Sequence, residues 1–286
     1  METGTERSDA ASGQRAFSVV TPTTPGRFVF ASPHSGDVYP DDMGANPSLD
    51  RLALRSAEDA LVDRMIAPGS EHGATLVLGR FGRAYVDLNR DPDDLDPGLI
   101  DGLEAQAATA RTGAGYGVIP RLTGSGQPLY DRQLSRAEAY ARIAAVHRPY
   151  HAALAEAMQA ARARHGEAVL VDWHSMPARA TQASSGARGP DVVLGDRHGS
   201  TCEARLTRRL STLFEGLGWR VALNQPYSGG WTTQAWGRPD EGFQAVQVEL
   251  NRALYLDETT LTPNAGWDRC RKGVARVIAG MLADGT

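Results

Sequence analysis

The sequence is short of cysteine, of long apolar runs and of excess charge, and each shortage closes off a class of protein. Its 286 residues include two cysteines, Cys202 and Cys270, far apart and in no CxxC pair. That spacing fits reduced thiols rather than a disulfide framework or a cysteine-based zinc module. No stretch approaches the ~20 consecutive apolar residues of a membrane span. Residues 1–15 are polar and lack the basic start and apolar run of a secretory signal. They read as a disordered tail ahead of one domain over residues 16–286, in a cytoplasmic protein. A net charge of −4 and a pI near 6.0 give no reason to expect general affinity for nucleic-acid phosphates. There is no GxSxG elbow, and neither cysteine has a nucleophile's local signature, so acyl transfer through Ser or Cys has no motif behind it.

What is present is a globular balance, 41% hydrophobic and 22% charged, with length enough for one large core. Short β-branched or apolar runs alternate with longer amphipathic stretches. This predicts an α/β fold, a mixed and mostly parallel sheet covered by helices on both faces. Strands are expected at Phe17–Thr21, Arg27–Ser32, Ala74–Gly79, Ala84–Leu88, Ala168–Asp172, Asp191–Gly195, Trp219–Leu223 and Ala245–Leu250. Helices are expected at Leu49–Ile66, at Ser135–His165 with a kink near Pro149, from Ser200 to about Gly216, and at Trp267–Leu282. Ser135-Arg-Ala-Glu138 and Ser200-Thr-Cys-Glu203 both carry the capping-box pattern.

In open α/β sheets ligands bind outside the carboxyl ends of the strands, so polar residues there carry the most information. Phe28-Val-Phe-Ala-Ser-Pro-His34 delivers a histidine, and Val169-Leu-Val-Asp172-Trp-His174 an acid and a second histidine. Two imidazoles past apolar strands suit a catalytic metal with three protein ligands and one open position. His34 and His174 are the imidazole candidates, with Asp172 placed to accept the second ring proton of His174. The third ligand stays open among Asp37, Glu58 and Asp59. Glu249 shares a strand face with Gln247; a carboxylate there is either paired, with Arg252 for example, or used as a base. Arg83, Asn89 and Arg90 suit an anionic substrate or an oxyanion, or an ion pair with Asp87. Pro226-Tyr-Ser-Gly-Gly-Trp231 is a glycine loop that lets backbone approach a ligand, or a turn. His72, His147, His151 and His165 fall on helices or their ends and are assigned no chemistry.

Taken together, Ser32-Pro-His-Ser-Gly36 with Tyr39-Pro40, Ser56 with Glu58-Asp59 and Val62-Asp63, Arg83-x-x-x-Asp87-Leu-Asn-Arg90, Asp172-x-His-Ser-Met-Pro177, Gly195-Asp-Arg-His-Gly199, Tyr227-x-Gly-Gly230 and Gln247-x-Glu249-x-x-Arg252 resemble the N-formylglutamate amidohydrolase family. The resemblance spans about Phe30 to Glu258. It implies a zinc-carboxypeptidase-like α/β fold and a zinc or other divalent metal site with His34 and His174 as ligands. The related zinc carboxypeptidases use a His-x-x-Glu pair, from which Asp37 departs, and the family pattern favours Asp59 as the third ligand. It further implies Glu249 as general base, Arg83 near the oxyanion, and Asn89, Arg90, Tyr227, Gly229 and Gly230 around a small anionic substrate. The expected reaction removes a formyl group from an acidic amino acid. Hydrolysis of another N-acyl amino acid or a small peptide, and a catalytically silent binding protein on the same fold, are the alternatives.

Overall fold

The computed structural model describes residues 15–181 and 188–283. The tail expected over residues 1–15 therefore lies outside the described residues, except for Arg15. Seven strands form one sheet: β1 (Phe17–Val20), β2 (Phe28–Ser32), β3 (Thr75–Gly79), β4 (Ala168–Met176), β5 (Val192–Gly195), β6 (Val221–Leu223) and β7 (Phe243–Asn251). Their order is β1-β3-β2-β4-β7-β5-β6. The central strands β3, β2, β4 and β7 run parallel, β1 lies antiparallel at one edge, and the parallel pair β5–β6 joins β7 antiparallel. A mixed, mostly parallel sheet is what the alternation of runs predicts.

The helices are α1 (Arg51–Arg55), α2 (Val62–Ile66), α3 (Ala110–Gly113), α4 (Arg136–Arg142), α5 (Arg148–His165), α6 (Ala204–Glu215), α7 (Trp231–Trp236) and α8 (Trp267–Leu282). They cover both faces of the sheet. On one face Phe30, Val171, Trp173, Val246 and Val248 pack with residues of α2, α6 and α8. On the other, Val29, Ala31, Leu170 and Ala245 pack with residues of α4 and α5. Every residue of β2, β4 and β7 is buried, as a central parallel sheet requires.

The carboxyl ends of β4 and β7 position the polar residues of the molecule's cavity. On the α5 face, β4 begins with Ala168 and Leu170 and then turns polar, with Asp172 and His174; β7 begins with Phe243 and Ala245 and then presents Gln247 and Glu249. The parallel register sets Asp172 opposite Gln247 and His174 opposite Glu249, and partners in a parallel pair point to the same face. One face of the sheet is thus apolar at its start and polar at its carboxyl end.

Three expectations are corrected. Residues 84–88 form no strand; they are a buried turn segment whose Ala84, Tyr85, Val86 and Leu88 face the core. Asp87 donates its amide to the Val118 carbonyl at 2.8 Å rather than to a strand. An apolar run reports burial, and burial alone does not distinguish a strand from a packed turn. The single helix expected over Leu49–Ile66 is broken into α1 and α2. Between them Asp59 donates its amide to the His34 carbonyl at 2.9 Å, and Leu61 sits in the left-handed region at φ 68°. The second capping box does not form. α6 starts at Ala204 without a side-chain cap, because the Ser200–Glu203 stretch is drawn to β7: Thr201 bonds the Ala245 backbone, and the Glu203 amide donates to Gln244. The box at Ser135–Glu138 forms as expected, and a π-helical turn at Ile143–His147 precedes Pro149.

Candidate active site

The polar carboxyl ends of β4 and β7, the turn after β2, the break between α1 and α2, and the 83–90 turn converge on a cavity of about 500 Å³. His34, Asp59 and His174 are all buried, and each offers a ligand atom within 4.8 Å of the others. Asp59 is aimed by its neighbours. Its Oδ1 accepts from Ser175 Oγ and Arg252 Nη2, both at 3.1 Å, leaving Oδ2 at 3.0 Å from His174 Nδ1 and 3.4 Å from His34 Nδ1. The other two acids considered for this position point elsewhere. Glu58 accepts from Tyr39 at 2.7 Å and Arg55 at 2.9 Å, and Asp37 is half-exposed beside Arg55. The break in the expected helix is what turns Asp59 inward.

Each imidazole has a carboxylate behind it. His34 Nε2 lies 2.7 Å from Asp87 Oδ1, and His174 Nε2 lies 3.0 Å from Asp172 Oδ2. A carboxylate only accepts, so His34 donates from Nε2, and in the neutral ring its Nδ1 lone pair faces Asp59 and His174. That Nδ1 is buried without a hydrogen-bond partner. Burial would lower the pKa of His174, but Asp172 and then Asp59 hold it well above the ordinary histidine value. Burial likewise would raise Asp59, but its hydrogen bond with His174 and the nearby His34 ring hold it well below the carboxylate range. Two ring nitrogens and a carboxylate oxygen thus converge where the surroundings demand positive charge. Oriented Nδ1 donors, carboxylates on the far ring nitrogens and an acidic third ligand fit a divalent metal of the zinc type.

Glu249 lies beside His174 on the adjacent strand, buried, and no arginine pairs with it within ion-pair distance among the described residues. Its Oε1 accepts from Gln247 Nε2 at 2.7 Å, and Gln247 in turn accepts from the Gly230 amide at 2.7 Å. Burial pushes the Glu249 carboxyl up to about 7; the nearby Asp59 adds to this, while His174 and the arginines oppose it. Arg252, the partner weighed for Glu249 from sequence, binds Asp59 instead.

Arg83 and Arg90 flank Asp87, at 2.8 Å and 3.7 Å from its Oδ2. Burial would raise Asp87, but Arg83, Arg90 and His34 hold it well below the ordinary range, so it stays ionised. Asn89 Oδ1 accepts the Thr232 amide at 2.9 Å while its Nδ2 faces Asp172 and His174, which ties the α7 start to the end of β4. Tyr227, Gly229 and Gly230 also line the cavity wall. A Cβ on Gly230 would come within 2.4 Å of the Asn89 amide, so glycine there serves the approach of Asn89.

Two histidines given no role from sequence brace this wall from behind. His147 Nε2 is 2.9 Å from the Arg90 carbonyl and His151 Nε2 is 2.8 Å from the Leu88 carbonyl, one on each side of Asn89. Both rings contact Trp231, at the start of α7. Their spacing of four residues puts them on one helix face, which was the signal available in the sequence. Ser175 and Arg252, which orient Asp59, had no comparable local signal.

Comparison with known proteins adds a consistent set of relatives. The N-formylglutamate amidohydrolase family model matches residues 26–256. An N-formylglutamate deformylase of Pseudomonas aeruginosa is 30% identical over 233 residues, covering 80% of this chain and 82% of that protein. One from Pseudomonas putida is 33% identical over 190 residues, 65% of this chain and 66% of its own length. Among solved structures, an N-formylglutamate amidohydrolase from Ralstonia eutropha JMP134 superposes with a TM-score of 0.89 at 35% identity, covering 95% of this chain and 99% of that one.

Proposed function

The chain belongs to the N-formylglutamate amidohydrolase family, and we propose that it hydrolyses the N-formyl amide of N-formyl-glutamate, or of a closely similar N-acyl acidic amino acid, to formate and the free amino acid. The observation that carries this reading is the convergence of His34, Asp59 and His174 beside Glu249 at the floor of one arginine-lined cavity. His34 and His174 through Nδ1 and Asp59 through Oδ2 would hold a divalent metal, zinc in the first instance. Such an ion, when bound, supplies a Lewis acid and lowers the pKa of a water toward ~7.

Glu249 is the base. Its carboxylate takes a proton from the attacking water, whose oxygen bonds to the formyl carbon, and returns that proton to the amide nitrogen as the C–N bond breaks. Arg83, on the cavity wall, stabilises the negative charge that builds on the carbonyl oxygen. Arg90, aligned through Asn89, holds a substrate carboxylate, and Tyr227, Gly229 and Gly230 line the same cavity. Asp87 and Asp172 keep the two imidazoles in the tautomer whose Nδ1 faces inward.

Formate release from N-formyl-glutamate tests this directly, with N-acetyl- and N-succinyl-glutamate as competitors. Turnover is expected with zinc, to be abolished by a chelator, and to favour the formyl substrate. Undiminished turnover after exhaustive chelation would sink the metal assignment, and no release from any of the three acyl substrates would leave a silent binding protein.

A further inference from the structure

The charges that line the cavity are unevenly matched. Five guanidinium groups, those of Arg83, Arg90, Arg111, Arg179 and Arg252, face three carboxylates, those of Asp59, Asp87 and Glu249. Arg83 and Arg90 share Asp87, and Arg252 is held by Asp59. Arg179 donates to the carbonyl of Gly124 at 2.9 Å. The Arg111 side chain alone of the five has no hydrogen bond or ion pair among the described residues.

Its backbone, by contrast, is fixed. Arg111 lies on α3, whose Thr109 cap donates to Asp94 at 2.8 Å. The Tyr116 amide donates to the Arg111 carbonyl at 2.9 Å, and Arg90 Nε donates to the Tyr116 carbonyl at 3.1 Å. Arg90 and Arg111 therefore sit at one turn, and the turn is bound to the segment that carries Asp87. Asp87 favours the Arg90 cation, yet burial and the neighbouring Arg83 and Arg111 charges leave its pKa below the ordinary arginine value. This end of the cavity carries more positive charge than its own acids neutralise. An exposed guanidinium without an internal acid, held on a fixed turn at the mouth of a pocket, is free to bind an anion from outside.

We propose that Arg111 selects a second carboxylate: with one substrate carboxylate at Arg90, the side-chain carboxylate of an acidic N-acyl amino acid is taken by Arg111. The proposal rests on the reading of the cavity as an N-acyl amino acid site and adds the residue that makes it selective for dianions.

The test compares N-formyl-glutamate with N-formyl-glutamine, which replaces the side-chain carboxylate by a neutral amide of similar shape, in wild type, Arg111→Gln and Arg111→Lys. A charge-assisted contact of this kind predicts about a tenfold fall in kcat/KM for N-formyl-glutamate in Arg111→Gln, carried mainly by KM. Turnover of N-formyl-glutamine should stay within roughly twofold, and Arg111→Lys should recover part of the preference, since it keeps charge but not bidentate geometry. Equal losses on both substrates, or no loss on either, overturns the proposal. Calorimetric titration of the same proteins with glutarate and with butyrate reads the contact without turnover: only glutarate should weaken in Arg111→Gln. Wild type that releases no formate from either substrate would therefore defeat the functional reading, while the glutarate titration would still decide Arg111.

Discussion

At Glu249, burial raises the carboxyl's proton affinity to about 7, and the Gln247 amide rather than an arginine takes one of its oxygens. A base in that range both accepts a proton from water and gives it back near neutral pH, which an arginine-paired glutamate does poorly. Replacing Glu249 by Gln keeps the shape and the Gln247 contact but removes the proton acceptor. We expect kcat to fall by about 10²–10⁴ with metal content and circular dichroism unchanged. A variant that kept wild-type turnover would reassign the base. Asp59 shows how the same residue scale limits sequence reading. Three acids, Asp37, Glu58 and Asp59, stood open from spacing alone. Hydrogen bonds from Ser175 and Arg252, distant in the chain, aim one of them at the imidazoles.

At the scale of elements, what was legible depended on whether a signal was local. The Ser135–Glu138 box needs only its own four residues, and it forms. Ser135→Ala should cost about 1 kcal/mol of stability, measured by urea denaturation. The same cap has a pH signature. A hydrogen bond from Arg132 and the backbone amide of Ser135 lower the Glu138 carboxyl to about 2 from an ordinary 4.5. Because the folded value is depressed, the contribution is present above about 4.5 and is lost as pH falls from there toward 2. The melting-temperature gap between wild type and Glu138→Gln should therefore be constant near neutrality and shrink over that window. The side chain is exposed, so the gap should also narrow in high salt. A gap independent of pH would refute the pairing. The Ser200–Glu203 box has the same sequence pattern, yet Thr201 and Glu203 are claimed by β7, and a local cap loses to long-range backbone bonds. The helix expected across Leu49–Ile66 fails for a related reason: the Asp59 amide bonds to His34 instead of continuing the helix.

At the scale of the whole molecule, the sheet brings five distant stretches to one cavity and leaves three ligand atoms buried at its floor. Folding already holds those ligands in place, so a metal that binds the folded state and not the unfolded chain must stabilise it by mass action, about 2.7 kcal/mol at a hundredfold excess over Kd. Zinc should raise the melting temperature by several degrees, a chelator should reverse the shift, and His174→Ala should show neither effect. A zinc-independent melting curve for wild type would count against the site.

Composition and pattern determined the class of this protein. The alternation of apolar runs specifies a mostly parallel sheet with helices on both faces, because those periods follow from burial on one or two sides of each element. The same runs placed seven of the eight expected strands, and the ordered motifs identified the family. No helix among the described residues is long and apolar enough to cross a membrane, again a matter of composition. Tertiary structure decided which charges meet. It turned the Ala84–Leu88 run into a buried turn that sets Asp87 behind His34, and it separated Arg252 from Glu249 and gave it to Asp59. Among the described residues it left Arg111 with no acid within ion-pair distance. Those outcomes depend on contacts between residues tens to almost two hundred positions apart, and electrostatic pairing at that range follows the register of the sheet, which local pattern does not encode.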